Sequence, residues 1–355
     1  MSGVNTHQRW VVFCRVVDNH GDLGVCWRLA SQLAARGKHV QLFVDDASAL
    51  AWIAPHGCAG VEVLAWPDES TSFASHPASD VVIEAFGCVL PHGFQAAMAA
   101  WPQAPVWINL EYFSAEEVSL RNHGLPSPVM SGPAKGMTKW FYYPGLHKDS
   151  GGVMGGLKAL TDSGTTDSGV KDLNPQSLNI SLFCYEPASL APWLQQLNAL
   201  PARVVLHVTA GRATQAVRQA LQSWPQAQRF YVHELPYLSH GAFDQLLAAQ
   251  DFNVVRGEDS LIRAIWAGKP FLWQIYPQHD GAHWPKLQAF LEVTHAPPVV
   301  VQAHGAWNAD QPQDLPLLTP NTLAEWGTWV QALKRHLQAQ TDLISRLESF
   351  VATHG

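Results

Sequence analysis

At 355 residues the chain exceeds what one hydrophobic core usually supports, so two domains are expected. Hydrophobic residues make up 47% and charged residues 14%, with 15 tryptophans, which points to large buried surfaces rather than disorder. A net charge of −7 without any Lys/Arg run argues against a nucleic-acid partner, and an acidic surface suits a cationic acceptor.

In chain order, Trp10–Val17 reads as a buried strand and Val25–Ala35 as a helix with Leu29 and Leu33 on one face. Further strands are predicted at His39–Val44, Val61–Ala65, Asp80–Ala85 and Pro105–Asn109. From about Asp149 to Gln176 the pattern dissolves into Gly/Ser/Thr/Asp-rich sequence, which predicts a flexible linker or an exposed excursion. Alternation restarts with strands at Asn179–Cys184, Arg203–Val208, Arg229–His233, Phe252–Val255 and Pro270–Ile275, and amphipathic helical pattern runs from Leu323 to Val351. Strand–helix alternation predicts parallel sheets with helices on both faces. The expected organisation is an α/β domain over 1–150, a linker over 151–176 and a second α/β domain over 177–355 that includes the terminal helices. Two facing Rossmann-like domains with an active site in the cleft are the outline.

Cys14, Cys26, Cys58, Cys88 and Cys184 are odd in number and form no C-x-x-C pair, so neither a disulfide framework nor a zinc site is read from them. A signal segment and any run of 18 apolar residues are missing, which predicts a cytoplasmic, reduced setting without membrane contact.

Four segments are candidates for chemistry. The first strand runs into Asp18-Asn19-His20-Gly21-Asp22-Leu23-Gly24, at the strand end where open α/β sheets bind ligands. Two aspartates there oppose a phosphate and suit a base or a cation-binding group; alternatively, Asp22 only caps the helix and Asp18 only turns the chain. The loop does not match G-x-G-x-x-G, which weakens a nicotinamide reading. Arg256-Gly257-Glu258-Asp259-Ser260 again joins a strand to a helix through glycine, with a stop at Gly268-Lys269-Pro270. Asp259 or Ser260 suits the N-cap, and backbone N–H groups behind Gly257, with Arg256 beside them, suit a diphosphate; the alternative is an ordinary helix capped by Asp259, with Glu258 pairing to Arg256. His279 and His283 stand four apart, but Gly281 and Pro277 disfavour a helix there and no third ligand is evident, so no metal is assigned. Phe183 and Tyr185, at a strand end, suit stacking on a nucleobase or simple core packing.

Phe13 to Leu29, Arg256-Gly-Glu-Asp-Ser260 and Gln274-Ile-Tyr-Pro-Gln-His-Asp-Gly-Ala-His-Trp284 resemble the EarP family, bacterial protein-arginine rhamnosyltransferases that modify elongation factor P. The likeness runs over nearly the whole chain. It implies a GT-B glycosyltransferase that works by inversion without a metal or other cofactor. The implied donor is dTDP-β-L-rhamnose, the acceptor an arginine of elongation factor P, and the enzyme a monomer. The resemblance makes Asp22 the general base, with Asp18 positioning the guanidinium or the loop. Glu258 is the other residue whose loss is expected to abolish turnover. Asn19, His20, Gly21, Arg256, Gly257, Asp259, Ser260 and Gln274 fall to donor binding. Phe183 and Tyr185 would meet the nucleotide and Tyr276 the diphosphate. Tyr237 and His240 fall at base-contacting positions, where they depart from the family's residues. The competing readings are a GT-B enzyme with another sugar nucleotide or acceptor, a silent protein that binds a translation factor, and, more remotely, a nicotinamide oxidoreductase.

Overall fold

Strands buried on both faces need side chains that are apolar without alternation, and the first strand, β1 (Arg9–Cys14), meets that demand. Its residues Trp10 to Cys14 are all fully buried. In the computed structural model, which describes residues 8–17, 20–156, 177–222, 224, 228–278 and 281–355, β1 is an interior strand, third in order, of a seven-stranded sheet. It is followed by α1 (Gly21–Ala35), β2 (His39–Val44), α2 (Leu50–Ile53), β3 (Val61–Ala65), β4 (Val81–Ala85), α3 (His92–Ala100), β5 (Val106–Leu110), α4 (Glu117–Asn122), β6 (Pro126–Pro128) and β7 (Thr138–Tyr142). The order is β3-β2-β1-β4-β5-β7-β6, parallel except for the β6–β7 pair. Trp10, Val12 and Cys14 face a core shared with α1, while Val11 and Phe13 join Phe94 of α3 in the core on the other face. Strand order reverses between β1 and β4, the place where crossovers leave in opposite directions and a crevice opens at the carboxyl ends.

The second unit contains β8 (Ser177–Leu182), α5 (Leu190–Ala199), β9 (Arg203–Val208), α6 (Arg212–Gln222), β10 (Tyr231–Glu234), α7 (His240–Ala249), β11 (Phe252–Arg256), α8 (Gly257–Ala267), β12 (Phe271–Gln274), α9 (His283–Val293), α10 (Pro298–Asn308) and α11 (Pro320–Gln338). Its five-stranded parallel sheet has the order β10-β9-β8-β11-β12, with the reversal between β8 and β11. The helix stop expected at 268 is present: Gly268 has φ 69°, a left-handed C-cap that glycine adopts without a Cβ penalty.

Two boundaries differ from those predicted. The compact units are Met1–Gly155 with Gln340–Gly355, and Gly156–Ala339. The helical pattern over 323–351 is broken after α11, and α12 (Leu343–His354) packs on the first unit rather than the second. The reason is physical: Leu343, Ile344, Leu347 and Val351 complete the β1–α1 core. Arg36 anchors the same helix by pairing with Asp342 at 2.9 Å and Glu348 at 2.8 Å. Residues 151–154, expected to begin the linker, are buried in that unit, with Leu343 N–H donating to the Val153 carbonyl at 2.8 Å. The rest of the expected linker, from 157 to 176, lies outside the described residues.

Candidate active site

The first candidate site lies at the carboxyl ends of β1, β4 and β5. Helix α1 begins at Gly21, so the predicted loop is shorter than Asp18–Gly24; Asp18 and Asn19 lie outside the described residues. His20 holds the cap position, its ring edge-on to Trp52 at 5.0 Å. Asp22 is therefore not the N-cap. It sits in the first turn, 2% exposed, where the helix dipole favours an anion. Its Oδ2 accepts the Val17 N–H at 2.8 Å and its Oδ1 accepts the Tyr112 hydroxyl at 3.0 Å. Tyr112 follows β5, and its ring stacks on Phe86 just past β4, with centroids 4.2 Å apart. A cysteine nucleophile is disfavoured here, because burial pushes the Cys88 thiol up to about 12 and the Cys26 thiol well above its ordinary range.

The second candidate site lies at the carboxyl ends of β8, β11 and β12 and gathers Phe183, Tyr185, Arg256, Gln274 and Tyr276. The Arg256 guanidinium lies 4.5 Å from the Phe183 ring centroid and 4.4 Å from that of Tyr185, and donates to the Cys184 carbonyl at 3.3 Å. Such stacking holds a planar cation while its edge keeps donors for an anion. Gln274 Oε1 accepts the Tyr185 N–H at 2.8 Å, and Tyr276 meets Tyr185 edge-on at 5.6 Å. Tyr185 is 1% exposed, because Arg212 covers it as well, 4.7 Å from its centroid. Arg212 is itself forked onto Glu186, and its hydrogen bond holds that carboxyl below the usual carboxylate range.

Helix α8 starts at Gly257, whose φ of 65° makes the sharp turn, and Trp273 Nε1 donates to the Gly257 carbonyl at 2.9 Å. The N-cap is Arg256, not Asp259 or Ser260 as predicted. Ser260 instead turns its hydroxyl back to the Arg256 carbonyl, and Asp259 pairs with Arg263 at 3.3 Å. Glu258 shares the first turn, whose N–H groups have no carbonyl four residues behind them. Buried Arg263 also pairs with Asp244 at 2.6 Å and donates to the His240 carbonyl at 2.5 Å, tying α7 to α8. His240 is thereby fixed, whereas Tyr237 lies ahead of α7 with 54% of its surface exposed. His283 is buried and its Nδ1 accepts the Gln278 N–H at 3.1 Å; His279 lies outside the described residues. Among the described residues, no three His, Cys, Asp or Glu side chains gather as ligands around a metal would.

Phe86, Tyr112, Arg212 and Arg263 were not singled out from sequence. Each acts on a partner from a different strand or helix, and no local spacing announces it.

Comparison with known proteins gives a consistent answer. The profile of a family described as Elongation-Factor P (EF-P) rhamnosyltransferase EarP matches residues 10–352. A protein-arginine rhamnosyltransferase of Pseudomonas putida is 42% identical over 309 residues, covering 79% of this chain and 80% of its own. One of Neisseria meningitidis is 32% identical over 97% of both chains. A structure solved as the basis for EarP-mediated arginine glycosylation of translation elongation factor EF-P superposes with a TM-score of 0.62 at 26% identity. That match covers 97% of this chain and 99% of the other. The glycosyltransferase VinC, solved in complex with dTDP, shares the fold with a TM-score of 0.56 at 13% identity over 98% of this chain and all of its own. The architecture is that of the GT-B glycosyltransferases, two Rossmann-like α/β units.

Proposed function

The chain belongs to the EarP family of EF-P rhamnosyltransferases, and on that basis we propose that it transfers L-rhamnose from dTDP-β-L-rhamnose to an arginine side chain of elongation factor P with inversion at the anomeric carbon. The observation that carries the reading is the division of chemistry between the two switch points. A buried, doubly anchored carboxylate ends β1, and a stacked guanidinium at a helix N-terminus ends β11.

Guanidinium is a poor nucleophile, because its lone pairs are delocalised and its pKa lies above about 12. In the proposed reaction Asp22 holds the acceptor group by charge-assisted hydrogen bonds and takes a proton from the attacking nitrogen. The nitrogen forms the new bond to C1 of the sugar as the bond from C1 to the diphosphate oxygen breaks. The electron pair leaves with dTDP. Arg256 and the first-turn N–H groups of α8 offset the charge gained by the diphosphate, and Tyr276 serves the same group. Phe183 serves the nucleotide, whereas Tyr185, expected to meet it too, is buried between Arg212 and Arg256 and acts by seating Arg256. Glu258, in the first turn of α8, is the other residue whose loss should abolish turnover, while Asp259 holds Arg263 beside the site. The proposed chemistry assigns no step to a metal.

The test is to incubate the protein with dTDP-β-L-rhamnose and purified elongation factor P and to weigh the factor intact. A gain of one deoxyhexose on an arginine is expected. An unchanged mass with folded, donor-binding protein overturns the reading.

A further inference from the structure

We infer that Tyr112, seated on Phe86, is a positioning residue that fixes the orientation of the Asp22 carboxylate toward the incoming guanidinium. The inference deepens the proposed reading of Asp22 as the base and rests on it.

Tyr112 and Asp22 are ninety positions apart in sequence, yet the hydroxyl of the one donates to Oδ1 of the other at 3.0 Å. Val17 N–H holds Oδ2 from the other side at 2.8 Å. With a donor on each oxygen, rotation of the carboxylate breaks both bonds, so its plane is set before any substrate arrives. That matters for this acceptor, because a guanidinium meets a carboxylate as a planar fork and rewards one relative orientation.

The support behind Tyr112 is the second observation. Its ring lies on Phe86 with centroids 4.2 Å apart and planes 11° from parallel. Phe86 has φ 57° and Gly87 φ 69°, a left-handed pair closed by Cys88 N–H on the Ala85 carbonyl at 3.1 Å. Glycine takes that conformation freely, whereas a bulky side chain resists it. Strain of this kind persists where the surroundings fix it and concentrates at working sites. Here Phe86 N–H also bonds the Leu110 carbonyl at 2.7 Å, which locks the turn to the strand end that delivers Tyr112. What phenylalanine gains at this unfavourable place is the stack that aims the Tyr112 hydroxyl.

Tyr112→Phe keeps the ring and the stack and removes only the hydroxyl. Expected are a fall in kcat on the order of ten- to hundredfold, an unchanged dissociation constant for dTDP-β-L-rhamnose and a melting temperature lowered by no more than a few degrees, the fold being retained. Phe86→Leu should lower kcat less, and the double variant should be no slower than Tyr112→Phe alone, because both act through one hydroxyl. A crystal structure of Tyr112→Phe should show the Asp22 carboxylate turned from its wild-type orientation. Wild-type kcat in Tyr112→Phe, additive losses in the double variant or an unmoved carboxylate each overturn the inference. If the wild-type protein itself transfers no sugar, the functional reading fails, while the two carboxylate orientations still decide the positioning role.

Discussion

Asp22 lies in the first turn of α1 and Arg256 at the end of β11, and each is held in part by residues far away in sequence, Tyr112 for the one and Phe183 and Tyr185 for the other. Asp22→Asn keeps the side-chain shape and removes the proton acceptor. Transfer to elongation factor P should fall about 10²- to 10⁴-fold, the range of general base catalysis, with donor affinity unchanged. A variant that keeps a tenth of wild-type turnover would falsify the assignment of Asp22 as base. Arg256→Lys keeps the charge but loses the flat group that lies on Phe183 and Tyr185. Donor binding should weaken by roughly tenfold, the worth of about one or two kcal/mol of stacking and forked hydrogen bonding, as read by calorimetric titration. Both residues were visible in sequence because an acidic or basic glycine turn follows an apolar run. Their exact tasks were not, since capping and ligand binding use the same residue types. The helix starts, at Gly21 and at Gly257, show only that neither Asp22 nor Asp259 is an N-cap.

At the level of elements, the ten predicted strands are present with small shifts: the interior parallel strands, buried on both faces, leave a continuous apolar signature, and the more exposed edge strands β3 and β10 are marked by alternation with helices instead. The missed strand β7 explains itself. Thr138-Lys-Trp-Phe-Tyr142 is broken by Lys139, whose ammonium neutralises Glu84 at 3.0 Å beside the Trp107 indole. A charge needed inside the sheet thus hides the strand that supplies it, and β6 is only three residues long. The last helix was assigned to the wrong unit because amphipathicity records that a face is buried but not against what. Two stability tests follow from these contacts. Truncation after Ala339 removes the four apolar residues with which α12 completes the first core and should leave that unit unfolded by circular dichroism. In the second unit, Arg263→Met strands Asp244 and Asp259, which are 12% and 13% exposed, without their cation. Breaking such a pair costs about 3–5 kcal/mol, so the urea midpoint should fall sharply. An unchanged midpoint would show that α7 and α8 are held by other means.

Across the whole molecule, both units hold histidines that burial keeps below their ordinary pKa, His76 and His123 in the first and His207 and His304 in the second, and the two most strongly lowered are His123 and His304. In the second unit His304 is fully buried: its Nε2 accepts the Trp273 N–H at 3.1 Å and its Nδ1 lies 2.9 Å from the Val300 carbonyl. Burial lowers its pKa to about 4. In the first unit His123 Nδ1 accepts the Tyr143 N–H at 3.0 Å, and burial, helped by Arg346, lowers its pKa to about 4 as well. A proton on either accepting nitrogen would face a donor. The unfolded chain takes up these protons near pH 6.5 and the folded chain only near 4, so the unfolded state binds more protons in between. Stability from both groups is therefore complete above about pH 6.5 and is lost as pH falls toward 4. The slope is at most about 1.4 kcal/mol per histidine per pH unit, and less for His123, which water reaches in part. Urea midpoints measured from pH 7.5 to 5 should fall steadily. His304→Gln, which can still accept from Trp273, should be less stable at pH 7.5 but lose less on acidification. A variant with the wild-type slope would remove His304 as a source of acid sensitivity and leave the slope to His123 and to the less strongly lowered His76 and His207.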